Sequence, residues 1–247
     1  MLRSAQCYFY CSFRLGIARR TSNNLDINMV LTIYGIPRST STKRIVVVCK
    51  EKNIPYRIVS IKMLENEHKT PAFLEKQPFG QIPYVVDEDD GFMLFESRAI
   101  CRYIANKYAS QGTPLIPTDP KELAIFEQAA SFELNNFEAI ANPLYHEKVI
   151  HPIYHKIPTN ESFVAHYVST LNQRLDGYER ILSKQTYICG EKLTLVDLFH
   201  LSFLDKVYLM LPETIDSRPN VARWYQALSQ RPTWVEIKDT APESFLV

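Results

Sequence analysis

The sequence predicts an α/β domain followed by an all-helical domain. Three observations carry this: a strand–helix–strand unit early in the chain, a hairpin closed by one helix after it, and the loss of every strand pattern beyond Pro120. Strands read as short β-branched or aromatic runs between turn residues, helices as apolar residues recurring every three to four positions. At 247 residues the chain is long enough for two small domains, and no internal repeat is visible.

Val30-Leu31-Thr32-Ile33-Tyr34 is the first strand, closed by Gly35 and Pro37. Ser39-Thr40-Ser41-Thr42 then offers N-cap hydroxyls to a helix running to about Lys52, with Ile45, Val48 and Cys49 on one face. Tyr56 to Ile61 reads as a second strand, parallel to the first, because a helix lies between them. A loop follows, then a short helix opened by Thr70-Pro71, then the stretch Pro78-Phe79-Gly80-Gln81-Ile82-Pro83. Tyr84-Val85-Val86 and Phe92-Met93-Leu94-Phe95 flank the acidic turn Asp87 to Gly91 as a hairpin, and a helix from about Ser97 to Tyr108 closes this half. The order is β-α-β-α-β-β-α. Helical patterns then span Pro120 to about Glu147, Glu161 to Ser183, Leu195 to Leu209 and Asn220 to Gln230. Thr194 and Asp197 form a variant capping box at the start of the third of these. The domain division is therefore an extension at 1–28, an α/β domain at 29–112, a linker at 113–119, a helical domain at 120–239 and a tail at 240–247.

Composition excludes several classes. The 28 basic and 27 acidic residues nearly cancel, which argues against a nucleic-acid binder with a strongly basic surface. Hydrophobic residues at 46% support a packed core rather than disorder, and no apolar run reaches membrane-spanning length. Five scattered cysteines do not make a disulfide scaffold and point to a reducing compartment. Neither common phosphate-binding glycine loop is present. The first 28 residues carry Arg3, Arg14, Arg19 and Arg20 against Asp26 alone. That balance fits a mitochondrial transit peptide, with the plainer reading an upstream extension and the working protein starting at Met29. His146, His151 and His155 are spaced poorly for zinc and read as surface or helix-end residues, while His200 on an apolar helix reads as a core or domain-contact residue.

Four stretches in order, each on the expected element, carry a resemblance: Tyr34-Gly35-Ile36-Pro37-Arg38-Ser39-Thr40, Glu67-His68-Lys69, Pro78 to Pro83, and Leu94-Phe95-Glu96-Ser97-Arg98-Ala99-Ile100. The chain resembles a cytosolic glutathione transferase, most closely the serine-type phi class, over nearly all of residues 29–239. The resemblance implies a thioredoxin-like domain followed by a helical bundle, and a stress-response or detoxification enzyme that conjugates glutathione to hydrophobic electrophiles, with peroxidase side activity. It also implies a homodimer in the cytoplasm, or in mitochondria if 1–28 directs it there. Glutathione enters as co-substrate, and neither a further cofactor nor a metal is implied.

The residues bear this chemistry. A free thiol has a pKa near 8.5 and reacts as the thiolate. Ser39, at a strand–helix turn, can donate its hydroxyl to the sulfur while the helix N-terminus favours negative charge, with Thr40 as the alternative hydroxyl. Ile82, before a proline (Pro83) that the fold implies to be cis, offers backbone N–H and C=O groups to an extended cysteinyl unit, and Gln81 can reach a peptide or carboxylate. Glu96 and Ser97 suit the ammonium and carboxylate of the γ-glutamyl end; His68 and Lys69 suit the glycyl carboxylate. Ile36, Arg38, Phe132, Asn136 and Phe137 are the expected acceptor-pocket residues, between the domains. Two other readings remain: a thiol–disulfide enzyme, which lacks a cysteine in 35–42, and a non-enzymatic ligand-binding or regulatory protein of the same fold.

Overall fold

The computed structural model describes residues 30–239; the expected extension at 1–28 and the tail at 240–247 lie outside them. Strand β1 (Leu31–Gly35) leads into helix α1 (Thr40–Glu51) and strand β2 (Tyr56–Ser60). Helix α2 (Pro71–Leu74), strands β3 (Tyr84–Asp87) and β4 (Met93–Phe95), and helix α3 (Ser97–Lys107) complete the first domain. The sheet order is β2-β1-β3-β4, with β1 parallel to β2 and the other neighbours antiparallel. Strand alternation explains its two faces. Leu31, Ile33 and Val85 point toward α1 and α3 in the main core, whereas Tyr84 packs with Phe73 of α2 and Ile61 on the other side. Tyr34 and Tyr84 stack across that second face, ring centroids 4.5 Å apart.

Helix α1 is buried on several sides because it meets α3 of its own domain and α7 (Leu195–Met210) and α10 (Pro232–Lys238) of the helical one. Its run Ile45-Val46-Val47-Val48-Cys49 is wholly buried, which repays the modest helix propensity of its β-branched residues. Several of its polar residues are buried with it, and Arg44 and Glu51 among them are paired. Glu51 accepts from Arg231 Nε at 2.7 Å, Thr113 Oγ1 at 2.5 Å and Thr233 Oγ1 at 2.6 Å. Burial pushes the Glu51 carboxyl up, but these donors outweigh it and hold the pKa below the ordinary value. The turn into the linker needs glycine: Gly112 has φ +61°, and a Cβ there would stand 2.2 Å from the Glu51 carbonyl oxygen.

The helical domain adds α4 (Pro120–Phe132), α5 (Ala139–Tyr145), α6 (Glu161–Leu182), α8 (Pro212–Asp216) and α9 (Pro219–Ser229). The long helix expected from Pro120 to Glu147 is interrupted. Wide π-type turns occupy Glu133–Glu138 and His146–His155, with Pro143 and Pro152 lacking the N–H of an ordinary α-turn. Helices α8 and α10, of five and seven residues, are too short to show a periodicity in the sequence. The loop before α2 likewise contains two 3₁₀ turns, Met63–Glu65 and Glu67–Lys69. At the start of α7, Asp197 is wholly buried and accepts from the backbone N–H of Thr194 and Ile188 and from Trp224 Nε1 at 2.8, 3.0 and 3.0 Å. The capping carboxylate thus also ties α9 to α7.

Candidate active site

Ser39 is the N-cap of α1, its Oγ accepting from the Thr42 N–H at 3.4 Å. A hydroxyl that accepts a cap bond still has its own proton to give. No acidic side chain sits in the first turn of α1, so nothing there offsets the positive end of the helix. Ser39 and Thr40 face a cleft of about 480 Å³ whose walls also include His68, Gln77, Gln81, Ile82, Glu96 and Ser97.

The Ile82–Pro83 bond is cis, as the resemblance implied. Among the described residues, the Ile82 N–H and C=O find no hydrogen-bond partner, so both stand free beside the cleft. The Gln81 N–H donates to Gln77 Oε1 at 3.0 Å, which holds this loop to the buried Gln77. Lys69 does not line the cleft itself. Its ammonium donates to the Gly80 carbonyl at 2.8 Å and lies 3.4 Å from that of Phe79. Gly80 has φ +59°, and a Cβ there would press within 2.8 Å of the His68 carbonyl and the Lys69 ammonium. His68 does line the cleft, and its Nδ1 is buried without a partner. Burial, and then the charge of Lys69, push its pKa down, so the ring is neutral at neutral pH.

Glu96 caps α3 in a left-handed conformation, φ +69°, a geometry that costs a non-glycine residue on the order of 1–3 kcal/mol. Its carboxylate reaches the cleft with no ion pair among the described residues. Ser97 is buried, and its Oγ accepts from Arg44 Nη1 at 2.8 Å, which leaves its proton free to point into the cleft. Beneath it lies an ionic group invisible to the sequence reading. Arg44, wholly buried, pairs with Glu138 and donates to the Phe199 carbonyl; Arg98 grips Glu133 through Nε at 2.6 Å and Nη2 at 2.8 Å and also pairs with Glu138. Burial pushes the Glu138 carboxyl up, but the two guanidinium groups pull it below its usual value. The available signal was Arg44 within an otherwise apolar helical face; its carboxylate partner Glu138, 94 residues on, could not be read.

A second, largely apolar cleft of about 470 Å³ adjoins the first and shares Ser39, Thr40, His68, Asn142, His146 and Phe203 with it. Ile36 and Arg38 line it, but Phe132, Asn136 and Phe137 do not. The wide turn at 133–138 rotates these three away: Phe132 and Phe137 pack on Tyr178, centroids 5.6 and 6.1 Å apart, and Phe137 is wholly buried. Tyr145, Ile150 and Tyr154 take their place. His146 and His155 lie exposed at the two ends of the wide turn, surface and helix-end residues as read, and both also line this cleft, while His151 pairs with Glu147 at 3.1 Å. His200 is a core residue. Its Nδ1 donates to the Val196 carbonyl at 2.7 Å, so Nε2 accepts from the Tyr178 hydroxyl at 2.9 Å. Among the described residues, no group of three histidine, cysteine or carboxylate side chains is placed to hold a metal.

A four-stranded thioredoxin-like sheet, joined to a mainly helical domain with a polar and an apolar cleft meeting at the first strand–helix turn, defines the glutathione transferase class. The chain belongs to the glutathione S-transferase family: the family's N-terminal domain model matches residues 29–106 and its C-terminal domain model residues 141–232. It is 43% identical over 202 residues to glutathione S-transferase PM239X14 of Arabidopsis thaliana, covering 81% of this chain and 91% of that one. Glutathione transferase F7 from Populus trichocarpa superposes with a TM-score of 0.81 at 33% identity, covering 85% of this chain and 98% of that one. Glutathione S-transferase I from maize, solved with an atrazine glutathione conjugate, superposes with a TM-score of 0.77 at 30% identity, covering 86% and 100%. The chain is thus a phi-like enzyme that conjugates the glutathione thiolate to hydrophobic electrophiles. The three described cysteines do not favour the thiol–disulfide alternative either. Burial pushes the thiols of Cys101 and Cys189 up to about 12 and that of Cys49 well above its ordinary value.

Proposed function

We propose that Ser39 activates glutathione and that the polar cleft holds the tripeptide along Gln81–Ile82, with Glu96 on its ammonium, Ser97 on its γ-glutamyl carboxylate, and His68 with Lys69 toward the glycyl carboxylate. The observation that carries this is the meeting of the two clefts at Ser39 and Thr40, the end of α1 where an anion is favoured. The sulfur, held there as thiolate by the Ser39 O–H and the helix N-terminus, attacks the electrophilic carbon of an acceptor in the apolar cleft. The sulfur–carbon bond forms and the leaving group departs with its electron pair. The same thiolate can attack a hydroperoxide oxygen, breaking the O–O bond to release the alcohol and leave glutathione sulfenic acid, and a second glutathione then displaces water from it to give the disulfide. The ion group under Ser97 positions rather than reacts, since it holds the hydroxyl from below.

We infer a homodimer. Phe79 is 65% exposed beside the cleft loop, and Phe92 and Met93 are exposed near the hairpin; a second copy would bury such apolar surface. No helix among the described residues is long and apolar enough to cross a membrane; from the family likeness we infer a cytoplasmic enzyme with glutathione as its co-substrate. We infer a division at 29–112, 113–119 and 120–239, supported by the break between α3, which ends at Lys107, and α4, which begins at Pro120. Binding to immobilised glutathione, elution by free glutathione, and turnover of 1-chloro-2,4-dinitrobenzene test the assignment. Glu96→Ala and Lys69→Ala should each weaken retention with unchanged circular dichroism; retention equal to the parent removes those residues from the site.

A further inference from the structure

Beyond Arg38, Tyr145 and Tyr154 the apolar cleft continues into a recess of about 290 Å³, and these three residues belong to the walls of both. The character changes at that boundary. Among the described residues, four cations, Arg38, Lys43, Lys206 and Lys238, line it with one carboxylate, Asp239.

Lys43 is the informative member. It is only 6% exposed, its ammonium donates to the Lys238 carbonyl, and it lies 5.9 Å from the Trp234 ring centroid. Among the described residues, neither Lys43 nor Lys206 has a carboxylate within 4.0 Å. Asp239 sits 3.9 Å from Lys238, and the nearby Asp205 accepts from the Tyr225 hydroxyl. A buried cation without a counter-ion is costly. Burial, then the charge of Lys206, push the Lys43 pKa down to about 8, the direction expected where a negative charge would be welcome. Nothing in glutathione chemistry at Ser39 calls for these lysines.

We propose that the recess binds an anionic arm, a carboxylate or sulfonate, on acceptors whose electrophilic carbon lies in the apolar cleft beside Ser39. This rests on the reading of that cleft as the acceptor site. Arg38 stands at the junction, within 3.4 Å of the Tyr154 hydroxyl, so one residue borders both the apolar body and the charged arm. The preferred substrates are amphipathic, with a flat apolar electrophile at one end and a negative charge at the other.

The test compares 4-chloro-3,5-dinitrobenzoate with its methyl ester, each rate divided by its uncatalysed rate with glutathione. In both, sulfur replaces chloride on the same ring carbon, so the ratio of kcat/KM isolates the carboxylate. The full chain should favour the carboxylate about tenfold, mainly through KM, the yield of one charge-assisted contact. Lys43→Gln and Lys206→Gln should each bring the ratio toward one, and Lys206→Glu should invert it. Lys206 is only partly buried, so its variants keep the proposal testable if Lys43→Gln misfolds. A parental ratio near one, or a ratio unchanged in both Lys206 variants, overturns the recess and leaves the cleft reading standing. If Ile36→Trp, which narrows the cleft, slows neither acceptor, the cleft reading falls and this proposal with it.

Discussion

Replacing Ser39 by alanine separates chemistry from architecture. The hydroxyl has two roles with different magnitudes. As an N-cap, its bond to the Thr42 N–H is long at 3.4 Å, beyond the usual 2.7–3.2 Å range. Loss of the cap should therefore cost toward the low end of the usual range, about 0.5 kcal/mol, or a Tm decrease of roughly 1–2 °C for a chain of this size. As a donor to a thiolate, it supplies on the order of 1.5–3 kcal/mol. At about 1.4 kcal/mol per pKa unit, the bound thiol should rise by roughly one to two units. Conjugation near neutral pH should fall about ten- to a hundredfold. The loss should shrink as pH rises, because the thiol then ionises unaided. Glutathione KM should change little, since in the proposed pose the tripeptide is held mainly at the far walls of the cleft. Thr40 lies in the same wall and can substitute, so the double variant Ser39→Ala, Thr40→Ala is the decisive one. The assay is ultraviolet thiolate absorbance of the bound complex against pH, alongside the pH profile of kcat/KM. An unchanged thiol pKa in the double variant would refute hydroxyl activation and leave the end of α1 as the cause.

Glu96→Gln keeps the shape but removes the negative charge proposed to meet the γ-glutamyl ammonium; glutathione KM should rise about tenfold with kcat little altered, and an equal loss in both would point to a misbuilt site instead. Arg98→Ala strands the wholly buried Glu133 and should cost about 3–5 kcal/mol, a Tm drop of roughly 10 °C by calorimetry, whereas a drop under about 2 °C would mean that the ion group contributes little. His200 is held neutral, its pKa pushed by burial down to about 4 from 6.5. The unfolded chain therefore takes up a proton that the native one refuses as pH falls from 6.5 to 4. Stability is full above that window and should fall within it by on the order of 3 kcal/mol, and His200→Gln should flatten the slope of Tm against pH there. An identical slope in the variant would assign the acid lability elsewhere.

The α/β half was legible because its signals are local. Strand alternation at Leu31 to Tyr34, the cap hydroxyl at Ser39 and the turn residues of the hairpin depend on near neighbours, and β1, α1, β3 and α3 lie within a few residues of where the pattern puts them. The candidate glutathione contacts were legible for the same reason, since each sits at an element boundary marked in the chain: Ser39 before a helix, Ile82 before a proline, Ser97 after a strand. What only the tertiary structure decided depends on helix rotation and on distant partners. Phe132 and Phe137 have the right composition for an acceptor pocket, but two wide turns shift the helix face, turn them into the core and bring His146 and Tyr154 to the cleft. Arg44 meets Glu138 and Lys43 meets Lys238 only because α1 is wedged between the two domains. A charge on an apolar helix is visible in one dimension; whether an opposite charge awaits it is settled by packing, because the cost of burying it depends on what stands within a few ångströms.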